Sequence, residues 1–219
     1  SLVLCPKRWL PLGGVTLLDI RGLLVSLPII LFALSAHEFA HAYVSFRLGD
    51  PTAARAGRLT LLPWVHLDPL GTLMLVISRL SGYGFGWAKP VPIDPSYYRN
   101  PAQGVFFVSL AGPLANLGLA TLFGLVVRLP GFLGAPVILQ EFVVSGVLIN
   151  LGLFLFNLIP VPPLDGSGIL AYLLRGRVRR SYPRIGEFGL VILILIIMTG
   201  VLVYPLAFLF YLLTGYSLP

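Results

Sequence analysis

Cysteine is almost missing from this sequence. Cys5 stands alone, so the chain can form neither an internal disulfide nor a thiolate-rich metal cluster, and its redox compartment is left open. Charge is scarce as well: only 11% of the 219 residues are Asp, Glu, Lys or Arg, in 8 acidic and 15 basic side chains, beside 3 histidines. The net charge of +7 has no basic stripe interleaved with aromatics to go with it, which weakens a nucleic-acid reading; basic loops at a membrane surface explain it better. No sustained repeat is apparent, which argues against a solenoid or array. Residues 1–10 carry no recognisable signal-peptide pattern.

What the chain has instead is apolar surface. It is 57% hydrophobic with a mean hydropathy of +0.93, outside the range of soluble domains. The composition predicts one membrane-embedded domain over residues 1–219, an all-α polytopic bundle of about four to five transmembrane helices. Spans are expected at 22–47, 104–128, 135–159 and 187–213, the last with a kink at Pro205. Small residues Ala111, Gly112, Ala115 and Gly118 give the second span a face for close helix contact. Between the first two spans, "RAGRLTLLPWVHLDPLGT" mixes Gly, Thr, Pro and charge, which predicts a small re-entrant or extended β-like element near residues 52–68. Residues 70–80 are apolar but too short to span. "GWAKPVPIDPSYYRNP" reads as a Pro-rich surface loop with Trp87, Tyr97 and Tyr98 at headgroup level.

Positive charge orients these spans. If residues 70–80 do not cross, Arg47, Arg55, Arg58, Arg79, Lys89, Arg99, Arg175, Arg177, Arg179, Arg180 and Arg184 fall on one side. Lys7, Arg8, Arg21 and Arg128 fall on the other. Eleven of the 15 basic residues then face the cytoplasm.

The polar residues inside the first span are the anomaly. In "LFALSAHEFAHAYVSFRLG", His37 and His41 are four apart, so a helix turns both imidazoles to one face, near enough to grip a single metal ion. Glu38 lies about 100° around the helix from His37. There it can reach water at the metal without being a ligand. This is the HExxH arrangement of zinc hydrolases, in which imidazoles hold the Lewis acid and a carboxylate takes a proton from water. The plainer alternative is two histidines hydrogen-bonded to neighbouring helices, but an ionisable Glu within a span is costly and points to function.

A catalytic zinc takes three protein ligands and keeps one position open. The remaining candidates are His66, Asp68, Asp19, Asp50, Asp94, Glu141, Asp165 and Glu187. Depth selects Asp165, in "FNLIPVPPLDGSG": it precedes the arginine cluster by about as much as His37 precedes Arg47. Pro160, Pro162 and Pro163 forbid a regular helix just before it, and irregular backbone at membrane depth belongs in protein or against a watery cavity. Asp165 opens a short helix through Leu174, whose N-terminus favours a charged carboxylate; simple capping of that helix is the alternative. Asn157, Asn150 and Asn116 are each placed either to donate to an oxyanion or to make an interhelical hydrogen bond. His66 is open to three roles, as a resting-state zinc contact, a substrate-strand contact or a structural hydrogen-bonding residue. The last is favoured, since a permanent fourth ligand would close the open position.

"HEFAH" at 37–41 in a span, paired with "NLIPVPPLDG" at 157–166, resembles the site-2 protease family of intramembrane zinc metalloproteases. "GRLTLLPWVHLDPLGT", "GWAKPVP" and "AGPLAN" resemble segments of its compact prokaryotic members. The likeness runs from about Leu31 to Arg175. It implies a catalytic core over about 22–175, followed by a transmembrane helix at about 187–213. It implies one zinc per chain on His37, His41 and Asp165, water activation by Glu38, and substrate or oxyanion contact by Asn157. No hydrophilic gap is large enough for the PDZ or CBS domains of some relatives.

The expected activity is hydrolysis of peptide bonds in or near transmembrane segments of other membrane proteins, as in regulated intramembrane proteolysis. Its expected site faces the cytoplasmic side of a prokaryotic cell membrane, with a membrane-protein or peptide substrate and the lipid bilayer as partners, no nucleic acid, and an unspecified oligomeric state. Leu59–Leu62 is the better of two extended stretches for pairing with an unwound substrate. The rival classes are a zinc-binding membrane transporter and an inactive membrane scaffold. The outer halves of the spans offer a transporter little beyond Glu141 and Asn150, and a scaffold need not retain Glu38 with all three ligand candidates.

Overall fold

The computed structural model describes residues 20–80, 86–174 and 188–218. Cys5, Lys7, Arg8, Asp19, Arg175, Arg177, Arg179, Arg180, Arg184 and Glu187, which figure in the sequence argument, lie outside the described residues. Nine α-helices are formed among the described residues: α1 (Ile20–Arg47), α2 (Thr52–Arg55), α3 (Pro63–His66), α4 (Pro69–Leu80), α5 (Pro101–Val127), α6 (Val137–Asn157), α7 (Asp165–Leu173), α8 (Gly189–Met198) and α9 (Val203–Thr214). Three of them, α1, α5 and α6, are long and apolar enough to cross a membrane, and α8 with α9 make a fourth candidate bent by 64°. The chain is an all-α multi-pass membrane protein.

Apart from a few polar residues, most of them buried, the spans are apolar on every side, as membrane-spanning helices are. Leu122 is 61% exposed and Met198 79% exposed, an outer surface suited to acyl chains rather than water. Close packing then has to come from shape, because lipid removes the hydrophobic drive between helices. Helix α5 is the hub, in contact with α1, α6, α7 and α9. Gly146 lets α6 approach so closely that a Cβ there would overlap the Phe123 ring. Around that contact Ala120, Val127, Val143, Val144, Val147, Leu151 and Phe210 form the main core.

Two local expectations are corrected. The break in the last span falls at residues 199–202, where Gly200 adopts φ +65°, and not at Pro205. Pro205 sits in the first turn of α9, where its missing N–H has no intrahelical partner to lose. The stretch 52–68 is also more helical than its composition predicts. Pro63 occupies the first position of α3, for which its fixed φ is suited, and α2 forms directly after Pro51. Extended pairing among the described residues is one antiparallel bridge, Leu67 with Ala88. The Lys89 N–H to His66 carbonyl bond (2.8 Å) and the Arg58 Nη2 to Lys89 carbonyl bond (2.6 Å) extend it, so residues 86–91 run beside 58–67. Helix α4, at 12 residues or about 18 Å, is too short to span.

After α6 ends at Asn157, the prolines force an irregular turn and α7 starts at Asp165. A Cβ on Gly166 would overlap the carbonyl oxygens of Leu158 and Ile159. Glycine therefore lets the first turn of α7 sit directly on the frayed end of α6, which fixes where the Asp165 carboxylate points.

Candidate metal centre

Helix α1 carries His37 and His41 inward at the depth where α5 and α7 meet it. Both imidazoles are 6% exposed. Their rings stand edge to face, 82° apart with centroids 4.6 Å distant, so that the two Nε2 atoms come within 3.0 Å of each other. Asp165 completes a triangle, its Oδ2 lying 3.1 Å from His37 Nε2 and 3.2 Å from His41 Nε2. These three residues are the one group of His, Cys, Asp and Glu side chains among the described residues that is arranged to hold a metal ion.

Space for the imidazoles is made by Gly112 of α5. A Cβ at that position would overlap His41 Nε2 and the Cε1–Nε2 edge of His37. The far nitrogens are both occupied: His41 Nδ1 lies 2.7 Å from the Val108 carbonyl oxygen, and His37 Nδ1 lies 2.7 Å from Asn116 Oδ1. A carbonyl oxygen only accepts, so His41 carries a proton on Nδ1, and in its neutral form it turns the Nε2 lone pair to the triangle.

The donor set fits zinc. Asp165 Oδ2 is buried without a hydrogen-bond partner even though two ring nitrogens are near it, which suits an oxygen that ligates a cation. Ligands held tetrahedrally at zinc's usual 2.0–2.1 Å are about 3.4 Å apart, close to the observed triangle. Two imidazoles and one carboxylate are also a common zinc set that leaves a fourth position for water or substrate.

Glu38, next along α1, stays outside the triangle and accepts the Val91 N–H at Oε2 (3.0 Å). The segment bearing Val91 is held at its far end by a buried carboxylate. Asp50, with no exposed surface, accepts Ser45 Oγ, Asp94 N–H and Thr52 N–H, each at 2.8 Å. Tyr98 adds its hydroxyl to Ser45 Oγ at 2.7 Å. Burial alone would raise the Asp50 carboxyl, but the bonds from Thr52, Asp94 and Ser45 outweigh it and hold it below the usual carboxylate value.

The other candidates have separate duties. His66, 1% exposed, lies outside the triangle with Nε2 donating to the Thr60 carbonyl at 2.7 Å. Asp68 caps Gly71 N–H, Asp94 caps Ser96 N–H, and Glu141 pairs with the exposed Arg21. Asn157 donates Nδ2 to the Leu153 carbonyl of its own helix at 3.0 Å. Asn116, by contrast, touches His37 directly. Val108 and Val91 contribute backbone groups, for which no side-chain pattern in the sequence gives a signal.

The fold and this site define a membrane-embedded zinc metalloprotease, and similarity to known proteins agrees. Residues 133–200 match the family described as Peptidase family M50. YwhC of Bacillus subtilis (strain 168), which carries the name "Putative zinc metalloprotease", is 37% identical over 177 residues, 78% of this chain and 78% of YwhC. Rip2 of Mycobacterium tuberculosis (strain ATCC 25618 / H37Rv), similarly named, is 32% identical over 192 residues, 87% of this chain and 70% of Rip2. MJ0611 of Methanocaldococcus jannaschii, also so named, is 39% identical over 138 residues, 62% of this chain and 63% of MJ0611. No solved structure matches. This chain belongs to the site-2 protease family, peptidase family M50.

Proposed function

We propose that this protein hydrolyses peptide bonds in or near the transmembrane segments of other membrane proteins, at a water-accessible site set within the bilayer and displaced toward the cytoplasm. The observation that carries this reading is the convergence of His37, His41 and Asp165 inside the helix bundle, with a carboxylate one residue away. Along α1 the pair sits six and ten residues before Arg47, about 9–15 Å of helix rise below that end of the span. Substrate backbone has to reach that depth to be cut.

His37, His41 and Asp165 would hold the zinc. When bound, it supplies Lewis acidity, which makes water a nucleophile near neutral pH and polarises a carbonyl. Glu38 takes a proton from the attacking water on its carboxylate and returns one to the leaving amine, work that general acid–base groups typically make worth 10²–10⁴-fold. The Val91 N–H holds one Glu38 oxygen, leaving the other for that proton. Asn157 has two amide hydrogens and spends one on Leu153, so the second is free to support an oxyanion. Exposed Leu61 and Leu62 mark the extended stretch beside which an unwound substrate can lie.

The test compares membrane proteins from cells carrying the intact protein with those carrying Glu38→Gln. Uncut membrane precursors should accumulate in the variant alone. Identical membrane proteomes would remove the assignment.

A further inference from the structure

The polar chain behind His37 has a direction, and it can be read from its two fixed ends. Asn150 Nδ2 lies 2.9 Å from the Gly146 carbonyl oxygen, which only accepts, so that end of the Asn150 amide is the donor and Oδ1 faces the other way. Asn150 Oδ1 lies 3.1 Å from Asn116 Nδ2, which also lies 3.2 Å from the Ala33 carbonyl oxygen. A second backbone acceptor therefore fixes the Asn116 amide independently. Both assignments turn Asn116 Oδ1 toward His37 Nδ1 at 2.7 Å. An amide oxygen accepts, so His37 carries a proton on Nδ1, and in its neutral form it offers a bare Nε2.

The cost of breaking this order is high at this depth. Asn116 has no exposed surface and Asn150 is 1% exposed, so no water can take the place of a missing partner without entering the packed bundle. Three helices meet in the chain: α6 sets Asn150, α5 carries Asn116, and α1 supplies both His37 and the Ala33 carbonyl. His41 reaches the same tautomer by a shorter route, through the Val108 carbonyl. The two histidines are thus prepared in different ways, one by a backbone atom that no side-chain substitution removes, the other by a side-chain relay.

We infer that Asn116 is a positioning residue for the zinc site, held by Asn150, which sets His37 in the metal-ready tautomer and orientation before any ion arrives. This rests on the assignment of His37 as a ligand. Outer partners of ligating histidines are typically worth 10–100-fold in metal affinity. An interhelical hydrogen bond with no bearing on zinc is the alternative role for the same contact.

The two roles separate in a zinc titration of the full-length protein in detergent, after chelation, with free zinc set by a metal buffer. Asn116→Leu keeps the volume and removes the acceptor, and should weaken zinc binding about 10–100-fold. Asn116→Asp restores an acceptor for the Nδ1–H and should bind zinc at least about tenfold tighter than Asn116→Leu. Wild-type affinity in Asn116→Leu, or equal weakening in both variants, would overturn the inference. If Asn116→Leu does not fold, Asn150→Leu applies the test one step back. A loss of about threefold or more there, as the Asn116 amide loses one anchor, supports the relay, and unchanged affinity refutes it. His37→Ala serves as the control for the underlying assignment. Unchanged zinc binding in that variant would sink the ligand set itself, whereas loss there with no change in the asparagine variants would sink only the relay.

Discussion

Gly112 shows how little room the metal site has. Its missing side chain is the space in which two imidazole edges lie, so Gly112→Ala pushes a methyl group into His41 Nε2 and the His37 ring at once. Because α5 is packed on four other helices, it has no easy retreat. The predicted outcome is a protein that inserts and folds but binds zinc at least about tenfold more weakly, checked by metal analysis after dialysis against buffered zinc. Wild-type occupancy would mean the ligand edges do not lie where Gly112 leaves space. At this scale the sequence was informative where chemistry follows from spacing along one helix. His37, Glu38 and His41 could be placed relative to one another from the helical period alone. That Asn116 faces His37 could not be read there, because it depends on how antiparallel α5 is registered against α1, and no periodicity within α5 encodes that.

Among elements, the segment from residue 86 to Tyr98 deserves its own test, because it reaches the site through backbone. Val91 N–H touches Glu38, and Asp50 holds the segment by the Asp94 N–H. Since the Asp50 carboxyl sits below its ordinary value, its contribution to stability is complete above the unfolded carboxylate value of about 3.9 and is lost as pH falls through the lower folded value. Thermal stability of the wild type should accordingly show no loss from this group between pH 7 and 5, and a fall below pH 4. Asp50→Asn loses charge-assisted bonds and should cost about 1.5–3 kcal/mol at pH 7, with a shallower acid fall. A variant as stable as the wild type at pH 7 would contradict this account. Pro205 and Pro63 both sit in the first turn of a helix for one physical reason: proline is tolerated there, so it can mark a start as well as a break. Gly200 held the actual break, through a left-handed conformation that composition does not reveal.

For the whole molecule, the site is shared by helices far apart in sequence, with α1 supplying two histidines and α7 the carboxylate more than a hundred residues later. Matching their depths was possible from sequence because His37 precedes Arg47 by about as much as Asp165 precedes the arginine cluster. Their contact was not, since it depends on Gly166 seating α7 on the carbonyls of Leu158 and Ile159. The placement also requires that catalysis and metal binding be separable: the group arranged to hold a metal ion is His37, His41 and Asp165, whereas Glu38 lies outside that triangle. The most direct measurement is cleavage of a purified transmembrane peptide by the protein reconstituted in liposomes, with products read by mass spectrometry and zinc content measured on the same samples. The wild type should cut within the apolar segment, and Glu38→Gln should retain its zinc while losing about 10²–10⁴-fold in rate. Full cleavage by zinc-loaded Glu38→Gln would contradict the account.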